Sequence, residues 1–105
     1  MMFEVIFSQE AADDLERLFD HILEREINSA TCDLSVPARA IEIIAQSCEL
    51  LRHSPFSCRK VGESPFVREL IINFGASGFV ALFEIRDASK VIIGAVRHQR
   101  ESDYH

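Results

Sequence analysis

The chain has 105 residues and a formal net charge of −6, and 48% of its residues are hydrophobic and 27% charged. This composition is typical of one globular domain, spanning residues 1–105, and excludes the disordered and fibrous classes. The acidic balance argues against a strongly nucleic-acid-binding protein.

The charge is unevenly distributed along the chain. Residues 1–51 carry 11 acidic and 3 basic side chains, whereas residues 52–105 carry 6 acidic and 8 basic ones. We therefore expect any anionic ligand to meet the second half. No apolar stretch is long enough to span a bilayer, and the N-terminal segment lacks the basic region of a signal peptide. These features predict a cytoplasmic protein with no membrane partner.

The first half of the chain predicts one strand and two helices. "MFEVIFS" predicts a strand over residues 2–7, and Ser8 is a suitable N-cap for the helix that follows. In "QEAADDLERLFDHILERE" the apolar residues recur at three- and four-residue spacing and the charged residues, Asp13 and Asp14 among them, take the other, solvent-facing side. After the loop "NSATCDLS", a second amphipathic helix begins near Ser35–Pro37 and ends at "HSP", because the residue before Pro55 disfavours helix.

The second half predicts a loop and three strands. The loop is "FSCRKVGESP", and the strands cover residues 66–74, 78–86 and 90–98. The connectors "GAS" and "DAS" are short, so consecutive strands should pair as antiparallel hairpins. The order β-α-α-β-β-β predicts an α+β domain with two helices packed on an antiparallel sheet.

Side-chain alternation along the last strand separates two candidate functional residues. Arg97 is expected to share a face with Val91 and Ile93, and His98 is expected to point to the opposite face. Gly94 inside this strand indicates a β-bulge, which would reverse the alternation beyond it.

The three cysteines provide no evidence for a metal site or a disulfide framework. Cys32, Cys48 and Cys58 are odd in number and lie at no metal-ligand spacing, so we expect reduced thiols and no metal. No cofactor is predicted either.

Four segments resemble the RelE/ParE superfamily of toxins from bacterial toxin–antitoxin and plasmid-stabilisation systems. They are "VIFSQEAADDLERL", "LLRHSPFSCRKVG", "VREL" and "VIIGAVRHQRE", and their order covers nearly the whole chain. The resemblance implies a compact α+β fold and a cognate antitoxin, with a homodimer or a toxin–antitoxin hetero-oligomer as the assembly. It leaves two activities open, because fold does not determine function.

In the first activity, RelE-like members cleave messenger RNA on the ribosome. That chemistry needs a base, an acid and cations around the phosphate. The candidate catalytic residues are Arg68, Arg97, His98 and Tyr104.

In the second activity, ParE-like members poison DNA gyrase without being nucleases. Three features favour this branch: the acidic balance, the single arginine of "GFVALFEIR" and the ending "RHQRE". The rim of the binding surface is then expected to contain Arg59, Lys60, Arg68, Arg97 and Arg100. Four of these cations (Arg59, Lys60, Arg97 and Arg100) would suit an acidic antitoxin tail. Whether the protein is an enzyme stays open, and a degenerate, non-toxic binding module is the third hypothesis.

Each candidate also has a structural interpretation. Arg68 could form an ion pair with Glu84 across the sheet, and Arg59 and Lys60 could be solvated loop residues. His98 at a strand end is typical of a structural hydrogen-bonding residue.

Overall fold

The computed structural model describes residues 2–99, and within them two helices cover one face of a five-stranded sheet. The helices are α1 (Gln9–Ile27) and α2 (Val36–Glu49), and the strands are β1 (Glu4–Phe7), β2 (Arg59–Lys60), β3 (Val67–Phe74), β4 (Ser77–Ile85) and β5 (Lys90–His98). Two 3₁₀ turns, Leu50–Arg52 and Pro55–Ser57, connect α2 to β2. The predicted α+β class is therefore confirmed.

Helix α1 begins as its sequence predicts. The Ser8 hydroxyl accepts a hydrogen bond from the Ala11 amide at 3.1 Å, which satisfies one of the free N–H groups of the first turn. The apolar stripe of α1 packs into the core, with Leu18 and Ile22 buried. The solvent-facing position predicted for Asp14 is wrong, because this carboxylate is only 5% exposed and lies against β5.

Helix α2 carries Pro37 in its first turn, where a missing N–H costs nothing. Its Ile44 and Cys48 side chains are fully buried, as the apolar stripe predicted. All three cysteines are free. Burial raises the pKa of the Cys48 thiol to about 12 and also raises the pKa of Cys58.

The sheet is mixed rather than wholly antiparallel. Its strand order is β1-β5-β4-β3-β2, and β1 pairs with β5 in parallel while the other neighbours are antiparallel. The chain leaves β1 through the α1–α2 hairpin and returns through β2, β3, β4 and β5 in turn, so its first and last strands meet. The short strand β2 was expected to be loop, and it pairs with β3 through Arg59–Glu69 and Lys60–Arg68.

A bulge at Gly94 interrupts the β4–β5 pairing. Leu82 pairs with Ala95 and Phe83 pairs with Ile93, so Gly94 has no opposite residue. The alternation therefore reverses, as the glycine indicated, and Arg97 does not share a face with Val91 and Ile93.

The core lies between the helices and the covered face of the sheet. Its largest fully buried side chains include Phe79, Phe83, Ile44, Leu51 and Ile93. Neither helix within residues 2–99 is both long and apolar enough to cross a membrane.

Candidate protein-binding face of the sheet

The face of the sheet that the helices do not cover, here called the open face, is unusually apolar. A sheet with one solvated face normally alternates apolar and polar side chains. Here the outward positions of four strands carry apolar residues that lie outside the main core cluster: Ile6, Val67, Ile71, Val80, Leu82, Ile92 and Ala95. Ile71 is 43% exposed.

The middle of the open face is concave. A depression of about 230 Å³ is lined by Val61, Glu69, Val80, Leu82, Ala95 and Arg97. Its floor is apolar and its polar groups stand at the edges. This arrangement of an apolar centre with a polar rim is that of protein–protein interfaces.

Arg97 stands at one edge of the open face and is held there by α1. Its Nη1 lies 2.6 Å from Oδ2 of Asp14, and the same oxygen accepts the Val96 amide at 2.9 Å. Arg17 contacts the other carboxylate oxygen. Beyond the end of β1, no strand within residues 2–99 pairs with the edge of β5, so Asp14 provides the acceptor that a strand would otherwise supply. Arg97 is thus a paired cation, one-third exposed.

Arg59 occupies the opposite edge. Its Nε donates to Oε1 of Glu69 at 2.7 Å, and Nη2 contacts the same oxygen. Lys60 is exposed and lies opposite Arg68 in the register of β2 and β3. Its side chain therefore points to the other side of β2 from that of Arg59. Arg59 and Arg97, the two predicted binding residues that lie on the open face, therefore each carry an acidic partner.

Arg68 lies on the covered side of the sheet and has a structural role. Its guanidinium donates to the carbonyls of Pro65, Phe56 and Cys58 at 2.7 to 2.9 Å, and it lies 5.2 Å from the centre of the Phe56 ring. The ion pair expected between Arg68 and Glu84 is wrong, because Glu84 pairs with Arg86 at 3.0 Å.

His98 also lies on the covered side. The imidazole Nε2 is 3.0 Å from the Ser77 hydroxyl, and the ring meets Phe79 edge-on at 5.7 Å. Arg97 and His98 therefore lie on opposite faces, as predicted. Arg100 and Tyr104 lie outside the described residues.

The described residues do not bring together the groups that RNA cleavage needs. Arg68 and His98 lie on the covered side near opposite ends of β4, Arg97 lies at the edge of the open face, and each has protein partners. Among residues 2–99 no group of three or more acidic, His or Cys side chains could hold a metal ion. The raised pKa values of Cys48 and Cys58 keep these thiols protonated and unreactive near neutral pH.

The apolar open face is the feature that the sequence prediction missed. Its signal is present in "FVALF" of β4 and "VIIGAV" of β5, because long apolar runs are typical of strands that are covered on both faces. With helices available for only one face, such runs indicate a surface that another protein covers.

Comparison with known proteins agrees with this architecture. A family model described as the ParE toxin of the type II toxin–antitoxin system parDE matches residues 5–103. A solved structure titled "Chromosomal ParDE TA system from P. aeruginosa" superposes with a TM-score of 0.71 over 92% of this chain and 96% of that chain, at 19% identity. No curated protein sequence matches the chain significantly.

Proposed function

Because the chain belongs to the ParE toxin family of type II toxin–antitoxin systems, we propose that it acts by binding DNA gyrase and that a cognate antitoxin neutralises it. The observation that carries the proposal is the apolar open face. Burying apolar surface is the main favourable term in protein association, and Ile71, Leu82 and Ala95 lie where a partner would cover them. The cytoplasm is the location that this target implies.

The pairing of the predicted binding cations on the open face supports a protein target rather than RNA. Arg59 and Arg97 each have a carboxylate partner, so neither is free to neutralise a phosphate. Binding to RNA depends on several unpaired cations that release counterions. A paired cation at the rim instead suits polar contacts with another protein.

A RelE-like messenger RNA endonuclease is less well supported. Its candidate base, His98, is on the covered face, and the candidate phosphate ligand Arg97 is on the other. A catalytic base must be within hydrogen-bond reach of the proton that it removes, with the cations around the same phosphate.

The test is a supercoiling assay with purified gyrase and three forms of the protein. We expect the wild type to inhibit supercoiling and Ile71→Glu to raise the half-inhibitory concentration by about tenfold or more, because a charge at an interface centre is strongly unfavourable. Ile27→Glu is the matched control, since Ile27 is 60% exposed on α1, outside the open face. It should inhibit like the wild type.

Three other outcomes would contradict the proposal. Normal supercoiling at saturating wild-type protein would exclude gyrase as the target. Messenger RNA cleavage on translating ribosomes, lost in His98→Ala, would establish the nuclease. Expression without growth inhibition, with antitoxin binding retained, would identify a non-toxic binding module.

A further inference from the structure

A second concave surface, here called the phenylalanine pocket, lies where β4 ends and β5 begins, at the opposite end of β4 from the turn that joins β3 to β4. It has a volume of about 610 Å³, and its lining includes Phe3, Phe56, Phe66, Ile85 and Asp87. None of its three aromatic side chains belongs to the open face, and the gyrase proposal uses none of them.

The pocket is built around a tripeptide that occurs twice in the chain. Ser-Pro-Phe stands at residues 54–56 and again at residues 64–66. In each copy the proline ring fixes φ, which limits the freedom of the backbone just before the phenylalanine. The rings of Phe56 and Phe66 meet edge to face with their centres 6.3 Å apart, and Phe3 meets Phe56 in the same way at 6.5 Å. The two copies therefore bring three aromatic rings together.

Arg68 ties the two copies to each other. Its guanidinium donates to the Pro65 carbonyl at 2.8 Å and to the Phe56 carbonyl at 2.9 Å, and it lies 5.2 Å from the centre of the Phe56 ring. The Phe66 carbonyl accepts the Ile85 amide at 2.7 Å, which anchors the second copy to β4. The rings are thus fixed before a partner arrives, and such preorganisation lowers the entropic cost of binding.

These rings are held in place without being buried. Phe56 is 48% exposed and Phe66 is 51% exposed, whereas Ile85, which also lines the pocket, is almost fully buried. Met2, next to Phe3 in the sequence, is exposed as well. Adjacent large apolar side chains that remain in water mark an interaction surface. A large apolar side chain of a partner would find packing partners here.

The acidic groups at the rim of the pocket have no direct ion-pair partner. Asp87 lines the pocket, and Glu63 comes directly before the second Ser-Pro-Phe copy. Within residues 2–99 neither carboxylate forms an ion pair. The Ser89 amide and hydroxyl donate to Asp87 and lower its pKa, with a smaller contribution from the charge of Lys90, so this carboxylate is ionised at neutral pH.

The basic residue that lines the pocket is already engaged. Arg86 lies 3.0 Å from the Glu84 carboxylate, so its charge is compensated. The charges left over at the rim are therefore negative. A partner that complements both the rings and the rim carries an apolar side chain with basic neighbours.

We propose that the phenylalanine pocket docks a basic segment of a partner protein through one large apolar side chain. This side chain sits against Phe56 and Phe66, and lysine or arginine side chains beside it contact Glu63 and Asp87. An apolar anchor within a polar rim is the usual arrangement of a binding hot spot. The proposal does not depend on gyrase as the target, because its residues are separate from those of the open face.

The experiment measures the binding of three labelled synthetic peptides to the full chain by fluorescence anisotropy. The reference peptide has a central Trp flanked by Lys residues, the second peptide has Ala in place of Trp, and the third has Glu in place of Lys. We expect the reference peptide to bind about tenfold more tightly than either of the others, because each of these lacks one half of the proposed contact. Equal affinity for the Trp and Ala peptides, or no measurable binding of the reference peptide, would overturn the proposal.

Single variants test the apolar contact. Phe66→Ala should weaken binding of the reference peptide about fivefold, because it removes one wall of the pocket. Ile27→Ala is the matched control, since it removes another exposed apolar side chain and should stay within about twofold of the wild type. Circular dichroism establishes that both variants are folded. Unchanged binding by Phe66→Ala would contradict the proposal.

Double variants test the rim. Glu63→Gln/Asp87→Asn removes two carboxylates at the pocket, and the asparagine oxygen can still accept the hydrogen bonds of the turn. Glu16→Gln/Asp20→Asn removes two exposed carboxylates of α1 and changes the net charge equally. We expect about fivefold weaker binding of the reference peptide by the first and a change within about twofold for the second. Equal weakening would show a general attraction to the acidic chain and would overturn the proposal. Loss of binding in Ile71→Glu would place the peptide on the open face and would overturn it as well.

Discussion

Replacing Asp14 with alanine should destabilise the protein more than any other single charge removal on α1. Oδ2 of Asp14 accepts the Val96 amide at 2.9 Å and lies 2.6 Å from Nη1 of Arg97. Asp14→Ala leaves the edge amide of β5 buried without an acceptor and leaves Arg97 without its partner. The contact between α1 and β5 that this carboxylate anchors would loosen.

The magnitude follows from the two interactions that are lost. A buried amide left without an acceptor costs about 1–3 kcal/mol. The ion pair adds about 1 kcal/mol, a reduced value because the Arg97 side chain is 33% exposed. We therefore expect a loss of about 2–4 kcal/mol in the free energy of unfolding. For a domain of this size that corresponds to a drop of roughly 10–20 °C in Tm.

Urea denaturation followed by circular dichroism measures this loss directly. Asp14→Asn should lose only about half as much, because its amide oxygen still accepts the Val96 N–H. The matched control is Asp13→Ala. The exposed Asp13 carboxylate accepts from the Gln9 side chain at 2.9 Å, and its loss should change the free energy of unfolding by no more than about 0.5 kcal/mol. If Asp14→Ala also stayed within about 0.5 kcal/mol, the anchoring role would be refuted.

Three further predictions concern the stability of the sheet and the reactivity of the cysteines. Arg68→Ala should lower the free energy of unfolding by about 1.5–3 kcal/mol, because the guanidinium holds three backbone carbonyls; an unchanged urea midpoint would contradict this. Gly78→Ala should cost at least about 2 kcal/mol in the same assay, since its Cβ would lie 2.0 Å from the Ile72 carbonyl oxygen; wild-type stability would show that the strands separate easily. In mass spectrometry after iodoacetamide treatment at pH 8, exposed Cys32 should be alkylated while buried Cys48, with its pKa raised to about 12, reacts only in denaturant. Labelling of native Cys48 at the rate of Cys32 would indicate local opening of α2.

The helices and the three long strands could be predicted from the sequence because their signals are local. Ser8 caps α1 through a contact three residues away, and Leu18 and Ile22 follow the helical period. The parallel pairing of β1 with β5 has no such signal. Its partners, Val5 and Val91 for example, are 86 positions apart, and their meeting depends on how the whole α1–α2 hairpin packs. The sheet was therefore predicted as wholly antiparallel.

The environment of the charged candidates could not be predicted, for a related reason. Asp14 follows Asp13 and lies two positions before Glu16, a pattern that predicts a solvent-facing residue. It is buried instead, because its carboxylate accepts the edge amide of Val96 in β5. Arg68 was expected to meet Glu84, but its partners are carbonyls of a 3₁₀ turn and two loops. In both cases the partner is a backbone group, which every residue carries and which no sequence pattern marks.

The bulge at Gly94 decides which face of the sheet the last residues of β5 reach. In an uninterrupted strand Arg97 would follow Val91 and Ile93 into the core, and Val96 would face solvent. The extra residue reverses this order, so Val96 is buried, Arg97 reaches the edge of the open face and His98 lies on the covered side. A Cβ at Gly94 would meet only the Leu82 carbonyl oxygen, at 3.8 Å, and so space does not require glycine there. The bulge is favoured instead because it buries the apolar Val96 side chain and leaves the charged Arg97 side chain partly exposed.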